Sequence, residues 1–294
     1  MTPWDHISAH IAEATGSPFP LEDQRPVGGG CINSAAVISG GGRRFFVKCN
    51  DADKEDMFAA EAEGLRELAK AGAVRVPEPV CWGAHGGSAY LVMEHLALAS
   101  AGSGTQRRLG AALAAQHRVT SASFGWFRDN TIGATPQVNT PAEDWISFYR
   151  EHRLLFQLSL AAARGAPRRL IEGGERLAEA LAAFFTDYRP VPSLLHGDLW
   201  SGNYAALDGG EPVIFDPAVY YGDREADIAM TELFGGFGRD FYAAYDDAWP
   251  RDPGYKVRKT LYNLYHILNH FNLFGGGYGG QAEDMTRRLL AELR

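Results

Sequence analysis

Apolar and polar positions follow three successive patterns along the 294-residue chain. Residues 3–16 put Ile7 and Ile11 on one face at helical spacing, which predicts a short leading helix. In residues 26–50, PVGGGCINSAAVISGGGRRFFVKCN, Ala36-Val37-Ile38 and Phe45-Phe46-Val47 read as strands, and Gly40-Gly41-Gly42 reads as the turn between them. Another strand end precedes Gly28–Gly30. Residues 54–71 then carry strong helix formers, with Met57, Glu61, Leu65 and Leu68 at roughly helical spacing and Gly72 as terminator. VCWGAHGG and AYLVMEHL add two more strands. Beyond about residue 97 the pattern turns helical, over 104–119, 142–163 and 174–187. Loops and short apolar strands interrupt it over 193–216. Helices resume near 225, and a long one ends at Gly275-Gly276-Gly277. The expectation is two lobes, 1–95 and 96–294, joined by a strand-like hinge at 93–97.

Composition bounds the functions open to such a chain. A hydrophobic content of 46% and an aromatic content of 12% fit a folded globular protein. A formal net charge of −8 without a dense basic run excludes a general nucleic-acid binder. It does not exclude a nucleotide, since one lysine and a divalent cation offset phosphate charge. The N-terminus lacks a basic and then apolar leader, and no run approaches about eighteen apolar residues, so neither a secretory signal nor a membrane span is expected. Cys31, Cys49 and Cys81 are too widely spaced for a Cys-x-x-Cys site and read as reduced thiols of a cytoplasmic protein.

Four features carry candidate chemistry. Gly28, Gly29, Gly30 and Cys31 form a glycine-rich loop between strands, where bare backbone can approach phosphates; alone it reads equally well as a ligand-free hairpin. Lys48 closes the strand FFVK, on the face of Phe46 and opposite Phe45 and Val47. It is either a solvated edge residue or, if the following helix packs on the sheet, an ammonium held by Glu61 over phosphates. LLHGDLWSGN, residues 194–203, sets Asp198 and Asn203 on a non-helical loop, and Asp216 follows the apolar run VIF. A Gly209-Gly210 turn would bring Asn203 and Asp216 together as hard oxygen ligands for Mg²⁺, with Asp198 where an alcohol arrives. Each aspartate singly also suits a turn or cap.

The order of glycine loop, strand lysine, helix glutamate, hinge, Asp-x-x-x-x-Asn and later aspartate resembles the protein-kinase-like fold. More narrowly, GGGCIN, HGDLWSGN, FDPAVYYGDREADIAM and ELFGGF resemble the fructosamine-3-kinase (ketosamine kinase) family over about residues 26–275. The resemblance implies an α+β fold with a small antiparallel N-lobe sheet carrying one helix and a larger, mainly helical C-lobe. It implies an ATP- and Mg²⁺-dependent kinase that phosphorylates the third-carbon hydroxyl of ketoamines, on small molecules or proteins, as deglycation repair. Gly28–Gly30 and the backbone to Asn33 would cover the phosphates, and Lys48 would contact them, oriented by Glu61. Met93, Glu94, His95 and Leu96 would pair with adenine. Asn203 and Asp216 would hold Mg²⁺, and Asp198 would accept the hydroxyl proton. Trp200 would contact the sugar or its amine stem, or else pack under the loop. Pro217 stands where protein kinases have the phenylalanine of DFG, so a flip of that kind is not expected. Asp227 is expected to brace the catalytic loop through backbone hydrogen bonds, and His196 to anchor it. His266 and His270 fit core or groove packing better than a metal site. Cys31 is either a redox-sensitive thiol, as the resemblance implies, or an inert small residue. The rival readings are a kinase of the same fold for an aminoglycoside, choline or methylthioribose, and a non-catalytic nucleotide-binding module.

Overall fold

The computed structural model describes residues 3–28 and 32–293. Strands β1 (Asp23–Val27), β2 (Ser34–Gly40), β3 (Arg43–Asp51), β4 (Pro79–His85) and β5 (Ser88–Glu94) form an antiparallel sheet in the order β1-β2-β3-β5-β4. Its two faces follow from strand alternation. Phe45 and Val47 join Ile38, Tyr90 and Val92 under Ile7 and Ile11 of helix α1 (Pro3–Thr15). Lys48, paired across the sheet with Ala35 and Leu91, looks the other way, toward helix α2 (Glu55–Ala71). That helix buries Phe58, Leu65 and Leu68 completely or nearly so, each worth about 1.5–3 kcal/mol. It stops at Gly72, whose left-handed conformation (φ 66°) lets its N–H bond Ala69. The expected single helix on this sheet is thus α2, and the leading helix covers the opposite face.

The remainder is mainly helical, with α3 (Ser103–His117), α4 (Trp145–Tyr149), α5 (Phe156–Ala163), α6 (Arg168–Glu179), α7 (Glu225–Leu233), α8 (Arg239–Ala248), α9 (Tyr255–Phe274) and α10 (Tyr278–Ala291). Between α3 and α4 lies the small hairpin β6 (Asn130–Ile132) and β7 (Thr135–Gln137). Strands β8 (Ser193–Leu195), β9 (Tyr204–Ala206), β10 (Pro212–Ile214) and β11 (Tyr220–Gly222) form two short pairs, β9 with β10 and β8 with β11. The helix expected over 142–163 is split by a π-helical stretch, Arg150–Leu155, around the buried Arg153. The guanidinium of Arg153 bonds the Val138 carbonyl (2.6 Å) and Asn139 Oδ1 (2.8 Å) and lies over the Tyr220 ring at 4.1 Å. One apolar core runs from Leu91 and α2 through Leu194, Leu195 and Ile214 to α9, so the loops that follow these strands are carried on a packed base. No described helix is long and apolar enough to cross a membrane.

Candidate active site

The loop after β8 is held by several buried and part-buried hydrogen bonds. Ser193, Leu194 and Leu195 are buried and lead into buried His196. Gly197 has φ 83°, and a Cβ there would lie 2.0 Å from the Ala218 carbonyl oxygen, so only glycine permits this approach. Asp227, in the first turn of α7, accepts the N–H of His196 at 2.7 Å and that of Gly197 at 2.8 Å. His117 Nε2 lies 3.2 Å from the same carboxylate, and His117 Nδ1 is 2.8 Å from the Tyr245 hydroxyl. Burial acts to raise the Asp227 pKa, but these donors and the neighbouring imidazoles outweigh it and hold the carboxyl below its usual range. Asp227 therefore braces the loop that leads to Asp198 through backbone hydrogen bonds, as expected from the sequence. His117 and Tyr245 behind it carried no sequence signal, because a buried histidine on a helix face looks like any core residue.

His196 joins two halves of the site. Its Nδ1 accepts the Asp198 N–H (3.2 Å), and its Nε2–H donates to the Phe215 carbonyl (2.9 Å). That bonding requires the neutral ring, and burial pushes the imidazole pKa down accordingly. On the other half, pairing of β9 with β10 sets Ala206 opposite Pro212 and Tyr204 opposite Ile214, so Asn203 and Asp216 emerge at the same end of the hairpin. Asn203 Nδ2 donates to the Asp198 carbonyl (2.8 Å), faces Asp198 Oδ2 (3.3 Å) and reaches the Asp216 carbonyl (3.4 Å). The amide nitrogen is thus turned inward, and Oδ1 is the atom left for a ligand. Asp216 has φ 56°, the only positive φ of a non-glycine among the described residues. Such a conformation is uncommon outside glycine and concentrates at functional sites.

Asp216 Oδ1 also accepts from Lys48 Nζ at 2.6 Å, and Glu61 Oε1 takes the same ammonium at 2.5 Å. Lys48 is buried, which disfavours its charge, yet the two carboxylates more than offset this and raise its pKa. Glu61 was expected to reach Lys48; the direct contact with Asp216 was not. Burial, then the charge of Asp216, pushes the Asp198 carboxyl up to about 7, while the Asn203 amide pulls the other way. Lys48, Glu61, Asp198, Asn203 and Asp216, from four separate stretches of sequence, thus form one continuous set of contacts.

A family model described as fructosamine kinase matches residues 3–292. The chain belongs to the fructosamine kinase family. A protein of Synechocystis named as a probable ketoamine kinase is 49% identical over 289 residues, covering 98% of this chain and 97% of the relative. The chloroplastic protein-ribulosamine 3-kinase of Oryza sativa subsp. japonica is 43% identical over 272 residues, covering 90% and 79%. A solved structure from Haemophilus somnus, provisionally assigned as a fructosamine-3-kinase, superposes with a TM-score of 0.91 at 28% identity, covering 98% of this chain and 97% of the other. The fold is therefore the α+β, two-lobed protein-kinase-like one expected from the sequence. Membership makes this chain an ATP-dependent phosphotransferase with a hydroxyl acceptor.

In this fructosamine kinase family member, the remaining candidate residues divide unevenly. Gly29, Gly30 and Cys31 lie outside the described residues. At Gly28 a Cβ would meet nothing within 4 Å, and Asn33 Oδ1 accepts from Asn50 Nδ2 at 2.7 Å. Met93 and Glu94 belong to β5; the Glu94 N–H is spent on the Glu78 carbonyl (2.8 Å), and its carboxylate pairs with Arg75. Beyond Glu94 the chain leaves the sheet at His95 and Leu96. His95 lines a cavity of about 320 Å³ with Arg25, Val27, Val37 and Arg44, on the same sheet face as Lys48. Trp200 is 38% exposed. Its indole lies over Gly202, where a Cβ would stand 2.3 Å from the ring, and meets the edge of Phe234 at 6.4 Å between centroids. The indole is thus partly packed against its own loop and partly open to solvent. His266, whose pKa burial pushes down to about 3, offers its carbonyl to His270 Nδ1 at 2.8 Å; both fit packing, and no group of three His, Cys, Asp or Glu among the described residues could hold a metal.

Proposed function

We propose that this chain moves the γ-phosphoryl group of MgATP onto the third-carbon hydroxyl of ketoamines, the rearranged adducts of sugars with amines, and so promotes release of the amine. The observation that carries the reading is the continuous contact of Lys48, Glu61, Asp198, Asn203 and Asp216, in a chain of the fructosamine kinase family. In it, residues 1–95 form the nucleotide lobe, residues 96–294 the catalytic lobe, and the setting is cytoplasmic, where ATP is supplied.

Lys48, oriented by Glu61, contacts the α- and β-phosphates beneath the loop containing Gly28–Gly30. Asn203 Oδ1 and the Asp216 carboxylate would hold Mg²⁺. They fit a hard cation, and two protein donors with phosphate oxygens and water completing the shell is the usual way phosphotransferases hold it. The ion, when bound, neutralises charge on the transferring group. Asp198 orients the acceptor hydroxyl through Oδ1, the oxygen not facing Asn203, and takes its proton as the hydroxyl oxygen bonds to the γ-phosphorus and the bond to ADP breaks. Trp200 offers an exposed indole face to the sugar or to the cationic amine stem.

The test is ADP release across a panel of ribulose- and fructose-derived lysine adducts, with the free sugars, an aminoglycoside and choline as controls. Turnover of the adducts alone is expected; preference for a control alcohol would overturn the assignment. Trp200→Ala should raise KM for the ketoamine about tenfold, the worth of one lost stacking or cation–π contact, and leave KM for ATP unchanged.

A further inference from the structure

Whatever fixes α2 fixes Glu61, and through it the Lys48 ammonium. Asp56, Glu63 and Glu67 stand seven and then four residues apart, so they form one stripe, roughly opposite Glu61 on the helix. Unanswered, three like charges along one stripe would weaken the helix. The catalytic lobe answers all three. Arg128 Nη1 donates to Glu63 Oε2 at 2.7 Å, and its Nη2 reaches Asp56 Oδ1 at 2.5 Å. The Tyr221 hydroxyl donates to Glu67 Oε1 at 2.7 Å. Between these points, a Cβ on Gly64 would lie 3.2 Å from Val219, so the helix rides directly on the segment that follows Asp216.

Arg128 is not a loose surface arm. Its side chain is 20% exposed, and its carbonyl accepts from Asn139 Nδ2 at 3.2 Å. Asn139 in turn is held by buried Arg153. Two residues after Arg128, Asn130 Nδ2 donates to the Val219 carbonyl at 2.8 Å. One polar frame therefore grips both α2 and the backbone three residues after Asp216. The Asp56 arm is 86% exposed and open to screening, so the Glu63 arm is the stronger of the two.

We propose that Arg128, through Glu63, is a positioning residue that clamps α2 to the catalytic lobe and thereby presets the Glu61–Lys48 pair for nucleotide. The inference rests on the proposed reading of Lys48 as the phosphate anchor. It is tested by titrating MgATP onto the full chain without acceptor, so that the identity of the acceptor does not enter. Arg128→Ala should weaken MgATP binding about tenfold, and Glu63→Gln by at most as much, since Arg128 also holds Asp56; the double variant should be no worse than Arg128→Ala alone, because that variant already lacks the Glu63 contact. Arg128→Lys, which keeps charge but not the forked geometry, should fall between. KM for the ketoamine should stay within about twofold of wild type, which separates positioning from general loosening. Affinity within about twofold of wild type in folded Arg128→Ala, or additive losses in the double variant, would overturn the proposal. If Arg128→Ala does not fold, Glu63→Gln decides by the same threshold. A wild-type chain that binds no MgATP would overturn the functional reading itself, and this inference with it.

Discussion

Asp198→Asn is expected to lower kcat by about 10²–10⁴, the worth of a general base, while MgATP affinity stays near wild type. The wild-type profile should show the same group. With the carboxyl raised to about 7, kcat/KM of the free enzyme should drop as pH falls below 7 and level off above it. Stability should move the opposite way. A carboxyl that holds its proton more tightly folded than unfolded contributes stability that is complete below its ordinary value of 3.8 and is lost as pH climbs through 7. Asparagine cannot ionise and forfeits nothing on that climb. The inactive variant should therefore melt higher than wild type at pH 8, and the difference should vanish near pH 4. Melting curves at the two pH values, beside a pH–rate profile, check both halves. A variant that turns over at the wild-type rate would remove Asp198 from the chemistry.

Asp227→Ala should cost about 3–5 kcal/mol of folding stability, because it strands buried donors that lean on one carboxylate. Those donors are the N–H groups of His196 and Gly197 and the His117 imidazole. Asp227 itself is 1% exposed, so no water replaces it cheaply. Urea titration should show the loss as a lower midpoint, and kcat should fall with it because the Asp198 loop is no longer pinned. The pH behaviour is opposite to that of Asp198. The Asp227 carboxyl is held below its usual range, so its stabilisation is present above the ordinary carboxylate pKa and is lost as acid protonates it. Wild type should therefore approach Asp227→Asn in stability only in strong acid.

Much of this site was legible in sequence because its residues come in local words. HGDLWSGN sets Asp198 and Asn203 at fixed separation, and strand alternation put Lys48 on the face opposite Val47, where it is found. Short-range pattern also found β2, β3, α2 and the Gly72 cap. Pattern fails where a partner is distant. Lys48 meets Asp216 across 168 positions, and His117 meets Asp227 across 110; no periodicity encodes either. The π-helical stretch in the predicted 142–163 helix contains Arg153, whose carbonyl and ring partners lie in tertiary contacts that no local pattern encodes. Met93 and Glu94, expected in a strand-like hinge, are the last two residues of β5, where Phe46 and Phe45 pair opposite them.

The imidazole of His196 ties the backbone of Asp198 to the strand end that carries Asp216. The Asp198 and Asp216 segments are thus joined into a single part whose internal spacing does not depend on how far the two lobes stand apart. On the proposed function, opening of the nucleotide site would fall to His95–Leu98, which lie outside any strand ahead of the Ala99–Ala206 bridge. The catalytic geometry need not be rebuilt at each turnover; it only has to be covered.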